Sequence, residues 1–229
     1  MSAPAPLRLA VCGASGRTGA RVAALAAQDA RFRLVARVNR AGAAAFERRP
    51  PACDAVVDFT APAAAVRFAR ACARAHVAFV TGTTGLSPAQ DAALTAAAGR
   101  IPVFRAPNFS RGVAVLALLA EEAARRLAGW DAALVETHHA GKRDAPSGTA
   151  LRLARAAREG GANASIFSLR VGGVIGDHAL TFAGRDERVE LVHRAESRDL
   201  FARGALDAAL WTAGRAPGLY GMNDLLERP

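Results

Sequence analysis

Lysine is nearly missing from this chain of 229 residues: of its thirty Lys+Arg residues, Lys142 alone is lysine. Arginine holds its proton too tightly to release it near neutral pH, so the one position that keeps lysine points to a task needing a transferable proton. Cysteine is scarce as well. Cys12, Cys53 and Cys72 are odd in number and lack CxxC or Cys/His ligand spacing, which excludes a disulfide framework and a zinc site and leaves buried, unreactive thiols as the expectation. Long apolar runs are absent: Val113–Ala120 is the richest and is far too short to span a bilayer, while Met1–Leu9 holds two prolines and no stretch of signal-peptide length. A soluble, cytoplasmic protein with no membrane partner is expected. Aromatic residues make up only 6%. With so few rings to stack bases, and arginines scattered without a basic tail, a nucleic-acid partner is not expected despite the formal net charge of +10.

What the chain does contain is core material: 52% hydrophobic residues and a mean hydropathy of +0.12 suit one large or two modest domains. Short apolar runs at Leu7–Cys12, Leu34–Val38, Ala55–Phe59, Val77–Thr81 and Ile101–Phe104 alternate with helical stretches from Arg17 to Gln28, from Pro62, and from Ser87-Pro88. Apolar strands alternating with helices predict an α/β fold, a doubly wound parallel sheet of the Rossmann type. The rhythm changes after a longer helix at Gly112–Leu127. Asp131–His139, Ser165–Val171, Val174–Phe182 and Arg188–Arg194 read as strands, with one clear helix among them at Ser147–Glu159. Strands in succession predict an α+β second domain with a mixed, mostly antiparallel sheet. The expected boundaries are residues 1–109 with 199–229 for the dinucleotide-binding domain, and 110–198 for the second, with a final helix at Asp199–Ala213 and a tail returning to the first domain.

Gly13-Ala14-Ser15-Gly16-Arg17-Thr18-Gly19 follows the first strand and opens the first helix. Glycines there permit a sharp turn and bring backbone amides against a pyrophosphate, whose charge is favoured at a helix N-terminus. A glycine-rich turn can also be purely structural. After the second strand, where an NAD-selective enzyme usually places an acid, stand Asn39-Arg40. A neutral amide beside a guanidinium suits a 2′-phosphate, so NADPH is expected to be accepted and preferred over NADH; Arg40 as one more surface arginine is the alternative.

The passage Glu136-Thr137-His138-His139-Ala140-Gly141-Lys142-Arg143-Asp144-Ala145-Pro146-Ser147-Gly148-Thr149-Ala150 ends a strand in two histidines, presents the lone lysine on a loop, and opens a helix. Histidine and lysine offer positive charge and protons, and a helix N-terminus accepts a carboxylate, so an anionic substrate is indicated. Solvent-facing histidines and a Ser147 that merely caps the helix are the plain alternatives. No metal is expected, because adjacent histidines on a strand face opposite ways and no carboxylate or cysteine partner is spaced to complete a ligand set.

The same passage, as HHxxKxDAPSGTA, resembles the signature of the 4-hydroxy-tetrahydrodipicolinate reductases, also called dihydrodipicolinate reductases. Further segments resemble that family in the same order: GASGRTG at Gly13–Gly19, VDFT at Val57–Thr60, GTTG at Gly82–Gly85, APNFS at Ala106–Ser110, GGVIGDH at Gly172–His178, ERVELVHRAESR at Glu187–Arg198, and GLYGMNDLL at Gly218–Leu226. The resemblance implies reduction of a small cyclic dicarboxylate by NADPH or NADH in the diaminopimelate route to lysine. It implies that Gly13–Thr18 bind the pyrophosphate, and that Gly82, Thr83 and Thr84 with Ala106, Pro107, Asn108 and Phe109 lie on the nicotinamide side. It makes His138 the catalytic acid/base, Lys142 the proton donor, and His139, Gly148 and Thr149 the carboxylate ligands. A homotetramer joined through the second-domain sheet is also implied.

Two segments depart from the family pattern. The stretch from Asn39 to Asp54 is short, which trims the second crossover, and a loop usual between Gly160 and Arg170 is absent. A nonenzymatic NADP-binding sensor on the same fold stays open at this point, since it would keep the glycine loop without needing Lys142. So does a nicotinamide reductase acting on another amino-acid-derived aldehyde or imine.

Overall fold

The computed structural model describes residues 5–227. The reading of Met1–Leu9 as free of a leader falls partly on residues 1–4, which lie outside the described residues, as does residue 229, the outer limit of the first expected domain.

In chain order the elements are β1 (Leu7–Cys12), α1 (Arg17–Ala26), β2 (Phe32–Val38), α2 (Ala43–Arg48), β3 (Ala55–Asp58), α3 (Pro62–Ala75), β4 (Ala78–Thr81), α4 (Pro88–Ala98) and β5 (Pro102–Arg105). Then come α5 (Arg111–Arg126), β6 (Asp131–His138), α6 (Gly148–Glu159), β7 (Ala164–Arg170), β8 (Asp177–Ala183) and β9 (Arg188–Arg194). The chain closes with α7 (Asp199–Thr212), β10 (Gly218–Tyr220) and α8 (Met222–Leu226). It divides into two compact units, one of residues 1–109 and 199–229, the other of Ser110–Arg198.

The first unit is a six-stranded sheet in the order β10-β5-β4-β3-β1-β2, every pair parallel. Its central strands are buried on both faces: all four residues of β3 and all four of β4 are shielded from water. That is why residues 55–57 and 78–80 run continuously apolar instead of alternating, with the polar Asp58 and Thr81 only at the carboxyl ends. Helix starts follow local chemistry. Pro62 occupies the first turn of α3, and Ser87 with Gln90 forms a reciprocal capping box on α4. Phe46 of α2 meets Phe68 of α3 edge-on at 5.3 Å, and the core beneath them includes Cys53, Cys72, Phe79 and Leu94. The three cysteines are free and buried. Burial pushes the Cys53 thiol up to about 11 and raises those of Cys12 and Cys72 as well, which keeps them unreactive.

The second unit is a four-stranded sheet, β7-β6-β8-β9, in which β6 and β7 are parallel and the other two pairs antiparallel. The expected fold class, a parallel doubly wound sheet plus a mixed one, is therefore observed. Leu134, Leu180 and Phe182 on one face of this sheet join Leu116 and Ala120 of α5 and Leu153 of α6 in a single core. The alternate residues Val135, Phe167, Leu169 and Val192 stay between 38% and 56% exposed, so the opposite face is apolar and open.

Three features differ from expectation. The trimmed second crossover still forms a helix, α2, because Phe46 has an apolar pocket to fill against α3. The tail forms a strand, β10, which pairs with β5, and a short helix, α8. Val174–Gly176 is not strand, since β8 begins only at Asp177.

Candidate active site

In the first unit, β1 delivers the chain into the turn Gly13–Gly16. Gly13 has φ +80°, and a Cβ there would lie 2.3 Å from the Phe59 carbonyl oxygen, so only glycine fits. A Cβ on Gly19 would lie 2.2 Å from the Gly13 carbonyl oxygen, so α1 seats directly on its own loop. Gly16 at the N-cap of α1 gives no side-chain cap, and the first turn holds no acidic residue. The first-turn N–H groups are thus left for an anion. Ser15, Gly16 and Arg17 are exposed, with Ala14 and Thr18 half-buried beside them.

The amides of Gly13 and Ala14 donate to the Val38 carbonyl at 2.9 and 3.2 Å. This joins the glycine loop to the end of β2, from which Asn39 and Arg40 follow, both exposed. Asn39 Oδ1 accepts from the Gly42 amide at 3.0 Å and so turns the chain toward α2. At the ends of β3 and β4, the buried Asp58 carboxylate accepts from the hydroxyls of Thr60, Thr81 and Thr83 at 2.6, 2.7 and 2.8 Å. Burial raises the Asp58 pKa, and these three hydroxyls work against the rise. Gly82 runs along the Phe59 ring, where a Cβ would clash at 2.2 Å. Thr83, Thr84 and Pro107 line an open groove of about 480 Å³. Ala106 is tied to the Thr81 carbonyl at 3.2 Å; Asn108 is half-buried; Phe109 stacks on Phe104 at 5.9 Å. All these residues follow the carboxyl ends of parallel strands, where ligands of open α/β sheets bind.

In the second unit, His138 ends β6 and is only 7% exposed, so it is not a solvent-facing histidine. Glu136, two residues earlier on the same face, is completely buried, and its Oε2 is hydrogen-bonded to His138 Nδ1. Glu136 Oε1 accepts from Arg170 Nη2 at 2.8 Å and from the Ser147 amide at 3.2 Å. Burial alone would raise the Glu136 pKa, but hydrogen bonds from Arg170, Ser168 and His138 outweigh it and hold the carboxyl down to about 2. Burial lowers the His138 pKa, against the upward pull of Glu136. The strand register sets His178 opposite Glu136 and His193 opposite His178. The rings of His138, His178 and His193 form a row with centroids 5.3 and 6.3 Å apart. Burial takes His178 down to about 4, with the neighbouring histidines adding to the effect.

Lys142 is half-buried, and its Nζ lies 2.7 Å from both carboxylate oxygens of the exposed Asp144. Arg170 Nη2 reaches the Asp144 carbonyl at 2.5 Å, so the Lys142 loop is fastened to the same guanidinium that grips Glu136. Ser147 caps α6 by accepting from the Ala150 amide at 3.1 Å. Gly148, exposed and with open space where a Cβ would stand, and Thr149, half-buried, follow in the first turn of α6. His139 is half-buried at the start of the loop, and its carbonyl accepts from the Lys142 amide at 3.0 Å. His138, His139, Lys142, Gly148 and Thr149 are thus gathered on one strand end, one loop and one helix start.

Sequence reasoning passed over Glu136, Arg170, His178 and His193. The period-two face shared by Glu136 and His138 was the available signal, and it corrects the statement that no carboxylate is spaced to partner the histidines. Glu136, His138 and His178 do place one ligand-type atom each within 4.8 Å of one another. The Glu136 carboxylate, however, already accepts from Arg170, Ser147 and His138. A cation there would have to displace those donors beside a guanidinium, so the cluster reads as a hydrogen-bonded one.

Both units match families of known proteins. The family model described as dihydrodipicolinate reductase, N-terminus, matches residues 7–109, and that described as dihydrodipicolinate reductase, C-terminus, matches residues 112–226. The 4-hydroxy-tetrahydrodipicolinate reductase of Stenotrophomonas maltophilia is 48% identical, covering 97% of this chain and 98% of its own length. That of Xanthomonas campestris pv. campestris is 43% identical, with coverages of 96% and 98%. Among solved structures, a dipicolinate-bound dihydrodipicolinate reductase from Paenisporosarcina sp. TG-14 shares the fold, with a TM-score of 0.79, 22% identity, and coverages of 96% of this chain and 99% of that one. The chain belongs to the dihydrodipicolinate reductase family, whose members are NAD(P)H-dependent oxidoreductases.

Proposed function

We infer that this chain reduces 4-hydroxy-tetrahydrodipicolinate to tetrahydrodipicolinate with NADPH or NADH, in the diaminopimelate pathway of lysine biosynthesis. The observation that carries the reading is a buried histidine and a lone lysine collected beside a helix N-terminus, in a chain that also carries an uncapped glycine-loop helix. When bound, the nicotinamide nucleotide supplies a hydride. Gly13, Ala14, Ser15, Gly16, Arg17 and Thr18 present amides and hydroxyls to its pyrophosphate. Asn39 and Arg40 take the adenosine ribose, Arg40 pairing a 2′-phosphate. Gly82, Thr83, Thr84, Ala106, Pro107, Asn108 and Phe109 form the nicotinamide side. Asp58 serves there as an internal tie holding Thr83 in place.

His139, Gly148 and Thr149 hold the substrate carboxylates, with the α6 dipole favouring their charge. Conversion to product removes the hydroxyl as water and adds one hydride and one proton. His138 works at its Nε2 as the acid/base. Lys142 Nζ, displaced from Asp144 by the arriving dicarboxylate, gives the proton that neutralises the charge left on the ring.

Among the described residues no helix is long and apolar enough to cross a membrane; a cytoplasmic enzyme is the location this biosynthetic reading carries with it. The open apolar sheet face supports a homo-oligomer, a tetramer by family resemblance. The test is to supply purified chain with NADPH and the cyclic substrate and follow absorbance of the reduced nucleotide. Loss of absorbance that depends on both chain and substrate is expected. Cofactor binding without oxidation would favour the sensor reading, and oxidation only with a different imine or aldehyde would favour another reductase.

A further inference from the structure

We propose that Glu136 is the positioning residue of the site: it fixes the proton of neutral His138 on Nδ1, so that Nε2 is the atom offered to the substrate, and it ties that ring to the Lys142 loop and to the start of α6. The inference rests on the functional reading above and adds a residue to which that reading gives no role.

The geometry is a convergence. Glu136 is completely buried, and each of its oxygens is engaged: Oε2 with His138 Nδ1, Oε1 with Arg170 and the Ser147 amide. A carboxylate clamped by a guanidinium and an amide has no proton to give, so Nδ1 is the donor in its bond to His138. Nε2 is then a lone pair when His138 is neutral and an N–H when it is charged, the two states an acid/base needs. Gly176 passes close to that nitrogen, where a Cβ would stand 3.0 Å away, so the absent side chain keeps the space beside Nε2 open.

The same carboxylate reaches two further parts. Through Ser147 it holds the N-cap of α6, whose next residues are Gly148 and Thr149. Through Arg170, which stands opposite His138 in the β6–β7 register and also grips the Asp144 carbonyl, it holds the loop of Lys142. The charged and titratable groups facing His138 are Glu136 from its own strand, Arg170 from β7, His178 from β8, and Lys142 from the loop. Glu136 is the one anion among them, so removing its charge leaves only cations and imidazoles around the ring.

The test joins a spectroscopic and a kinetic measurement. In the full chain labelled with nitrogen-15 histidine, neutral His138 should show a protonated Nδ1 and an unprotonated Nε2. Glu136→Gln, with NADPH affinity and thermal unfolding checked alongside, should keep cofactor binding while kcat falls roughly a hundredfold, the scale at which the partner that orients a working histidine is felt. The limb of the kcat–pH profile that reports His138 should move to lower pH, because loss of a neighbouring anion disfavours the imidazolium. Glu136→Asp keeps the charge and should return that limb toward its original position. A wild-type His138 carrying its proton on Nε2 would overturn the proposal, as would a Glu136→Gln profile whose limb does not move. If the wild-type chain does not reduce the cyclic substrate, the functional reading fails, and the nitrogen spectrum of His138 still decides the positioning role.

Discussion

Lys142 is the residue at which scarcity in the sequence and placement in the structure coincide. Its Nζ sits between the two oxygens of Asp144 at 2.7 Å. Lys142→Arg should bind NADPH nearly as the wild type does and still lose about two to four decades of kcat, since a guanidinium keeps the charge but not the transferable proton. Steady-state kinetics beside a fluorescence titration of NADPH measure this, and a change confined to KM would reduce the lysine to a binding charge. Arg40 makes a separate case at the other ligand. Its exposed guanidinium follows the β2 end that accepts from the glycine loop, so Arg40→Ala should weaken NADPH far more than NADH; equal losses in parallel titrations would show that it touches only what the two nucleotides share. Both residues could be singled out from sequence because each lies within a few positions of its own motif. Glu136 was legible only as a residue sharing a strand face with His138, because the rest of its role is made by Arg170, 34 positions away, and by an amide 11 positions on. Pairings of that kind come from strand register, which a local motif does not encode.

At the scale of elements, the alternation of strands and helices was readable because buried parallel strands such as β3 and β4 are apolar up to their last residue and their helices begin on proline or serine. The elements that escaped, α2, β10 and α8, are only six, three and five residues long. Segments so short carry little periodicity, and they form because a neighbour supplies an apolar pocket or a strand edge. Register across β6, β8 and β9 stacks Glu136, His178 and His193, and this has a pH consequence. His178 is 3% exposed and held at about 4, below its ordinary 6.5. For a base whose folded pKa is depressed, the unfolded chain binds the extra proton, so stability should fall as pH drops from about 6.5 to about 4 and level off below that as far as this residue is concerned. The Glu136 carboxyl, held at about 2 against 4.5, extends the loss further into acid. Denaturant titrations across that range should show His178→Gln flattening the upper part of the dependence, removing up to roughly 3 kcal/mol of the loss between neutrality and about pH 4, from the size of the shift. An unchanged slope would mean that His178 is already charged in the folded protein.

For the whole molecule, the two sheets divide the chemistry as they divide the chain, with the glycine loop in the parallel unit and the histidine–lysine cluster in the mixed one. The open face bearing Val135, Phe167, Leu169 and Val192 should be covered by copies of the same chain. Phe167→Glu should therefore lower the sedimenting mass, whereas a wild-type chain that sediments only as a monomer would remove the oligomer. Transfer of a hydride from the nicotinamide ring to the cyclic dicarboxylate can be followed by a label. Given NADPH deuterated at the transferable position of its nicotinamide ring, together with the cyclic substrate, the chain should deliver the deuterium to a ring carbon of the product, which mass spectrometry reads as a gain of about one mass unit over the unlabelled reaction. Oxidation of the nucleotide with an unlabelled product, or recovery of both reactants unchanged, would rule this transfer out.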